Sequence, residues 1–207
     1  DPQGTLAGLG KPFHLVSPGI GVKKYPTCYL NHRALDAILR LIVGHDVQPQ
    51  QVEEVVVKVP HEGWLDRKGP DLDFGLRAKF SLQYNVAEAI LTRKIVIESF
   101  EDAYVHRPTV RRMMRLVRLE VDPSIPKQYD KISNQVTLRL KNGQVLTKTV
   151  DVPHGDWDDP LSLDELAAKY RDNAQRLLPP DKCQRTMELV LGLEMLDDIR
   201  ELAELYT

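Results

Sequence analysis

The chain has 207 residues and a formal net charge of −2, with 28% of its residues charged and 42% hydrophobic. This composition predicts a soluble globular protein of one or two domains and excludes a disordered chain or a membrane span. The near-neutral charge argues against a dedicated nucleic-acid binder, and two cysteines are too few for a disulfide framework, which suits the reducing cytoplasm.

The domain boundaries follow from where periodic patterns start and stop. Glycine and proline punctuate the start of the chain without a sustained period, so residues 1–17 are predicted to form an extended lead-in. Residues 18–155 carry strand and helix patterns and are predicted to form an α+β domain. A polar, turn-rich stretch from His154 to Pro160 marks the change to a C-terminal helical segment, residues 156–207.

Four strands and three helices are predicted in the α+β domain. Alternating apolar and polar residues mark the strands, and Asn142-Gly143 predicts a hairpin between the last two. Asn31 and Ser81 are the expected N-caps of the first two helices, and Pro108 is the expected first residue of the third. Because no strand is a continuous apolar run, we expect a largely antiparallel sheet with helices on one face. The predicted strands are Val55 to Val59, Val117 to Val121, Val136 to Leu140 and Gln144 to Val152.

Two helices are predicted in the C-terminal segment. Ser162 and Glu165 form a capping box for the first, which we expect to end near Leu178. The second is expected to start at the cap Asp181 and to run to the C-terminus with one long apolar stripe. Such a stripe would expose on the order of several hundred Å² of apolar surface, so we predict a two-fold dimer or docking on a partner. The stripe consists of Leu189, Leu193, Leu196, Ile199, Ala203 and Tyr206.

Two short stretches concentrate side chains that suit an anion, and we expect them to meet in space. Residues 23–32 carry two lysines, a cysteine and a histidine ahead of the first helix, and residues 78–84 carry a lysine and a tyrosine at the start of the second. Unpaired N–H groups at a helix start favour anions. This combination predicts a site for a small polycarboxylate.

The same stretches carry a resemblance to a known family. The motifs K-x-Y-P-x-C-x-x-x-H, A-K-F-S-L-x-Y-x-V-A-x-A and G-D-W-D-D-P-L-S resemble those of the MmgE/PrpD family, which includes 2-methylcitrate dehydratase, cis-aconitate decarboxylase and iminodisuccinate epimerase. The resemblance covers nearly the whole chain but only the C-terminal half of a family member. It implies a cofactor-independent lyase or isomerase that removes a proton next to a carboxylate of a small di- or tricarboxylate. It also implies that this chain is a lid, and that an N-terminal helical domain, absent here, supplies several acid/base groups.

Lys23 and Tyr84 are the catalytic candidates that the resemblance implies. From the residues alone, an ordinary solvated lysine is the favoured interpretation of Lys23. The resemblance reverses this and implies that Lys23 holds a carboxylate or stabilises the enolate-like charge that forms when a proton leaves. Tyr84 would donate a hydrogen bond or a proton, and the alternative is a buried core tyrosine with a hydrogen-bonded hydroxyl.

Substrate contacts are expected from Cys28, His32, Arg77 and Lys79, each with a structural alternative. Cys28 is expected as a pocket wall rather than an acid or base, since some relatives have histidine there. His32 could orient a carboxylate or face solvent, and the two cations could simply lie on the surface.

No metal and no organic cofactor are predicted. Cys28 and His32 are four residues apart, but no second Cys/His pair follows at a zinc-like spacing, and no glycine-rich phosphate loop precedes a helix. The arginines of residues 107–118 have no interleaved aromatics and are interpreted as a solvated helix face. The alternative to a lyase half is a non-catalytic binding or assembly module, or a subunit of a split enzyme.

Overall fold

The computed structural model describes residues 9–13, 15–61, 72–128 and 131–206 of the chain. The chain divides into two compact units, Asp1–Pro160 and Leu161–Thr207. Part of the predicted lead-in, residues 1–8 and 14, lies outside the described residues.

A four-stranded mixed sheet forms the base of the described part of the first unit. Its strands are β1 (Val52–Val59), β2 (Val117–Val121), β3 (Asn134–Leu140) and β4 (Val145–Val150), in the order β2-β1-β3-β4. The antiparallel pairs are β1 with β3 and β3 with β4, whereas β1 and β2 are parallel. The predicted α+β fold with a largely antiparallel sheet is therefore confirmed, with one parallel pair that the sequence did not predict. Apolar and polar residues alternate along a half-buried strand whether its neighbour is parallel or antiparallel, so the alternation cannot distinguish the two.

One face of the sheet forms the core. Val55, Val136 and Leu138 are completely buried, and Val55 lies opposite Leu138 across the β1–β3 pair. On the other face Arg139 is exposed and pairs with Glu54 at 3.2 Å. The alternation that predicted the strands therefore separates the buried face from the solvated one.

The helices of the first unit pack on the buried face. They are α1 (His32–Gly44), α2 (Gly75–Ala78), α3 (Leu82–Thr92), α4 (Asp102–Val105) and α5 (Pro108–Met114). The long helices α1 and α3 contact each other; α1 also lies on β3 and β4, and α3 on α5 and β2. The short helices α2 and α4, of four residues each, were not predicted because one turn is too short to show a helical period.

The local signals were correct for most turns and caps. Ser81 Oγ accepts a hydrogen bond from Tyr84 N at 3.2 Å, as an N-cap should, and Pro108 is the first residue of α5. The predicted hairpin forms at Gly143, which has φ = +87°, a conformation that favours glycine. Asn31 precedes α1 as expected, but its side chain makes no capping bond, because its amide instead donates to Thr27 Oγ1 and to Lys79 O, both at 3.0 Å.

The second unit contains three helices among its described residues, and its last part differs from the prediction. The helices are α6 (Leu163–Ala174), α7 (Pro180–Leu191) and α8 (Arg200–Ala203). The capping box at Ser162 and Glu165 is confirmed.

The prediction of a single long C-terminal helix is wrong. Helix α7 begins at Pro180, so Asp181 lies in its first turn rather than at the cap. The helix ends at Leu191, and Gly192 is its C-cap. Glycine is a poor helix former, and Asp198 then accepts a hydrogen bond from Arg200 N at 2.9 Å, which starts a new turn. None of the described helices is long and apolar enough to cross a bilayer.

Candidate functional site

The two stretches that the sequence singled out do meet in space. The carbonyl oxygen of Lys79 accepts hydrogen bonds from Cys28 N at 3.0 Å, Thr27 Oγ1 at 2.6 Å and Asn31 Nδ2 at 3.0 Å. Lys79 directly follows α2, where carbonyls lack partners within the helix. The end of α2 is thereby fixed to the entrance of α1.

A cleft of about 520 Å³ opens beside the entrance of α1 in the first unit. Gly21, Lys23, Tyr29 and Arg33 line one side of it. Residues 151–153 and 156–158, which follow β4, line the other side. The volume lies within the range of small-molecule sites, on the order of 300–1,000 Å³.

The backbone ahead of Lys23 is held by the loop after β4. Val22 N donates to Gly155 O at 2.7 Å, and Gly155 N donates to Asp159 O at 2.8 Å. Gly155 has φ = +100°, and a Cβ atom there would lie 2.2 Å from Val22 O. Only glycine allows this close approach, which positions Lys23 at the cleft.

Arg33, in the first turn of α1, is the most buried cation of the cleft, with 4% of its surface exposed. Its Nε donates to Asp151 O at 2.7 Å, and its guanidinium carbon lies 5.9 Å from the centre of the Tyr29 ring. Its Nη1 atom is buried and has no hydrogen-bond partner in the described part of the chain. Sequence reasoning missed Arg33; the available signal was a cation in the first turn of a helix, where acidic residues are favoured.

Two tyrosines connect the entrance of α1 to the loop after β4. The Tyr29 hydroxyl donates to the carboxylate of Asp156, which is 8% exposed. The Tyr25 hydroxyl donates to Asp36 at 2.7 Å, and the second carboxylate oxygen of Asp36 accepts from His154 N at 2.7 Å. These bonds set the shape of the cleft.

Comparison with known proteins identifies the domain. Residues 25–195 match the family model described as MmgE/PrpD C-terminal domain. The chain belongs to the MmgE/PrpD family. The resemblance predicted from the sequence motifs is therefore confirmed.

The relatives of this MmgE/PrpD chain are longer than the chain itself. A cis-aconitate decarboxylase of Mus musculus is 30% identical over 193 residues, which cover 90% of this chain and 39% of that relative. Cis-aconitate decarboxylases of Homo sapiens and Aspergillus terreus are 27% and 25% identical, covering 90% and 97% of this chain and 39% and 43% of those relatives. The chain thus spans about two fifths of the length of these curated relatives.

Of the predicted site residues, the structure brings Lys23 into the cleft. The Lys23 ammonium donates to Thr27 O at 3.3 Å, beside Tyr29 and Arg33. Cys28 is half-buried and its backbone joins the contact with Lys79. His32 is completely buried between the rings of Tyr25 and Tyr29, with both ring-centre distances at 5.1 Å.

Tyr84 occupies a core position rather than the cleft. The residue is completely buried, and its hydroxyl donates to the carbonyl of Ser99. Burial, and secondarily the charge of Glu88, raises the pKa of the Tyr84 phenol well above its usual value near 10. This placement matches the structural alternative that the sequence left open.

Arg77 and Lys79 contact neighbours outside the cleft lining. The Arg77 guanidinium pairs with Asp73 at 2.5 Å and lies 5.1 Å from the centre of the Phe74 ring. The Lys79 ammonium lies 5.4 Å from the centre of the Phe100 ring. The predicted substrate contacts of these two cations stay predictions.

A buried ion pair lies next to Tyr84. Glu88 is 1% exposed and pairs with Arg107. Burial raises the pKa of the Glu88 carboxyl, although the Arg107 charge acts in the opposite direction. Arg111 donates to Leu72 O, so the arginines of residues 107–118 are not all solvated, contrary to the interpretation from sequence. Glu88 lies 19 residues from Arg107 and Leu72 lies 39 residues from Arg111, so charge spacing alone cannot show these contacts.

Metal ligands do not cluster in the part of the chain that the structure describes. No group of three or more histidine, cysteine, aspartate or glutamate side chains there could hold a metal ion. The side chains that line the cleft supply fixed cations, a tyrosine hydroxyl and carboxylates.

Proposed function

We propose that this chain is the carboxylate-binding C-terminal half of an MmgE/PrpD lyase that acts on small di- or tricarboxylates. The relatives named cis-aconitate decarboxylase, which align with 90–97% of the chain, support this class of substrate. The observation that carries the proposal is the position of Lys23, which is part of the motif that resembles the family and lines the cleft together with Arg33.

Lys23 would act on the negative charge that forms during the reaction. Decarboxylation breaks the bond between carbon and the departing carboxylate, CO₂ leaves, and the electron pair stays on the carbon skeleton until a proton is added. Removal of a proton next to a carboxylate leaves an equivalent electron pair. An ammonium group fixed nearby stabilises either intermediate, and loss of one such contact costs about 10²–10³ in kcat.

The acid/base groups are assigned to the part of the enzyme outside this chain. Histidine is absent from the residues that the structure describes along the cleft, and the buried carboxylate Asp156 is engaged by Tyr29. General acid/base chemistry needs a group that can reach the reacting proton. We therefore propose that the chain closes as a lid over a site that a helical domain completes.

Reconstitution tests the proposal. The purified chain is mixed with the portion of the Mus musculus relative outside the aligned region, and cis-aconitate, 2-methylcitrate and iminodisuccinate are screened for turnover. We expect turnover by the mixture and none by the chain alone, with a loss of about 10²-fold or more in Lys23→Ala.

Lys24→Ala is the matched control. The Lys24 ammonium lies 5.7 Å from the Tyr25 ring centre, and the residue is absent from the cleft lining within the described ranges, so this variant should retain activity. Turnover by the chain alone that depends on Lys23 would show that the acid/base groups lie within it.

A non-catalytic assembly module is the second candidate. The observation in its favour is the exposed apolar surface of the second unit, where Leu177 is 90% and Met195 is 82% exposed. Such a module would associate with a partner without binding polycarboxylates, so carboxylate binding by the isolated chain separates the two functions.

A further inference from the structure

Arg33 is a buried cation that has no counter-ion among the residues that the structure describes. Among the described residues no carboxylate oxygen lies within 4.0 Å of its guanidinium nitrogens, and its Nη1 atom lacks a hydrogen-bond partner. With 4% of its surface exposed, the side chain receives little hydration. A buried charge normally requires both a partner and full hydrogen bonding.

The position of Arg33 in α1 adds to this cost. The first turn of α1 contains no acidic residue, and a cation there faces the positive end of the helix dipole. Burial and position therefore both oppose an arginine at this place in the fold. Conflicts of this kind between residue and position are expected at functional sites.

The rest of the side chain is held in place. One edge of the guanidinium is fixed by the bond from Nε to Asp151 O at 2.7 Å, and one face lies against the Tyr29 ring. Its planar shape presents several N–H donors that match the two oxygens of a carboxylate. Arg33 is thus oriented before a ligand arrives.

The carboxylates of the cleft do not neutralise Arg33 directly. Asp156 accepts the Tyr29 hydroxyl and, at 3.3 Å, Asp158 N. Asp151 and Asp158 are exposed, where solvent and salt screen their charge. The side of the cleft that Lys23 and Arg33 line therefore remains suited to binding an anion.

We propose that Arg33 binds one carboxylate of the ligand while Lys23 binds a second, so that the cleft selects di- and tricarboxylates over monocarboxylates. This inference rests on the proposed function and adds to it a specificity-determining residue. A single anionic group would engage one of the two cations, whereas a polycarboxylate would engage both.

Ligand titration tests the role of Arg33 in the full chain. Tricarballylate, an unreactive tricarboxylate, and acetate are titrated by calorimetry into the wild type, Arg33→Met, Arg33→Lys and Arg40→Gln. Arg40 lies on the same helix but is exposed and outside the cleft lining as described, at 4.0 Å from Asp159. We expect Arg33→Met to lose about tenfold or more in affinity and Arg33→Lys an intermediate amount, with Arg40→Gln within about twofold of the wild type.

Thermal unfolding separates a binding role from a structural one. Methionine retains an aliphatic side chain and removes a buried charge that has no counter-ion within the described ranges, so Arg33→Met should have an unchanged or higher Tm. A lower Tm with unchanged affinity would overturn the proposal. If Arg33→Met does not fold, the proposal is tested with Arg33→Lys instead. Unchanged selectivity for tricarballylate over acetate in Arg33→Lys would also overturn the proposal.

Lys23→Ala distinguishes this inference from the proposed function. Loss of binding in Lys23→Ala but not in the Arg33 variants would refute the role of Arg33 and leave the carboxylate-binding half in place. No binding of tricarballylate by the wild type would refute both.

Discussion

Gly155→Ala should disturb the candidate site through the backbone. The added Cβ would lie 2.2 Å from Val22 O, which must retreat by about 1 Å to reach ordinary contact at 3.4 Å. The change also forces a side chain into φ = +100° and weakens the 2.7 Å bond from Val22 N to Gly155 O. Lys23, the next residue after Val22, should move with it.

The magnitude follows from these separate costs. A positive φ costs about 1–2 kcal/mol, and the lost hydrogen bond about 1 kcal/mol. The displaced backbone adds about 1–3 kcal/mol, while the stiffer unfolded chain returns about 0.4–1 kcal/mol. We expect Gly155→Ala to lower the free energy of unfolding by about 3 kcal/mol, and tricarballylate affinity to fall by up to about 10²-fold.

Urea denaturation with a matched control isolates the clash. Gly143 has φ = +87°, but an added Cβ meets no atom within 4 Å, so Gly143→Ala has the backbone cost alone. This control should lose about 1 kcal/mol and retain its affinity. Equal stability and equal affinity in the two variants would refute the role of Gly155 in positioning Lys23.

Three further predictions concern the core and the second unit. Tyr84→Phe should lower the free energy of unfolding by about 1–2 kcal/mol, because a buried carbonyl loses its donor, and should leave tricarballylate affinity unchanged. The raised pKa of Glu88 means that the folded state holds this proton more tightly than the unfolded state, so wild-type stability should fall relative to Glu88→Gln as the pH rises above about 4.5. The isolated chain should self-associate through exposed apolar residues of the second unit, such as Leu177 and Met195, and light scattering across a dilution series should show a dimer that dissociates.

Each of these predictions has a contrary outcome. Loss of carboxylate binding in Tyr84→Phe without loss of stability would place the hydroxyl in the site after all. Parallel pH profiles for the wild type and Glu88→Gln in urea denaturation would show that this carboxyl does not titrate differently on folding. A chain that stays monomeric at high micromolar concentration, with the same molar mass by light scattering in Met195→Ser, would contradict the predicted self-association.

The sequence predicted the fold where short-range patterns determine it. Strand alternation, the Asn142-Gly143 hairpin and the Ser81 cap depend on neighbouring residues, and the structure confirms them. The parallel pairing of β1 with β2 depends on the path of a long connection, which alternation does not encode. The C-terminal stripe kept its spacing across Gly192, so periodicity alone could not show the break.

The site was predicted only in part, because burial and long-range backbone contacts decide it. The motif that begins at Lys23 resembles the family that the comparison shows, and Lys23 lines the cleft. The three bonds to Lys79 O join stretches about fifty residues apart through a backbone atom, which side-chain patterns cannot specify. Arg33 was missed because a charged residue near a helix start resembles a solvated one until its burial is known.

The most direct test is to map the proposed carboxylate site on the isolated chain by NMR. Amide resonances are assigned, and tricarballylate is titrated at constant ionic strength with chloride as the reference anion. We predict saturable shifts concentrated at Lys23, Arg33 and residues 151–158, which form the two sides of the cleft. Shifts no larger than those with chloride, or shifts confined to surfaces away from the cleft, would contradict the proposal that this chain is a carboxylate-binding half.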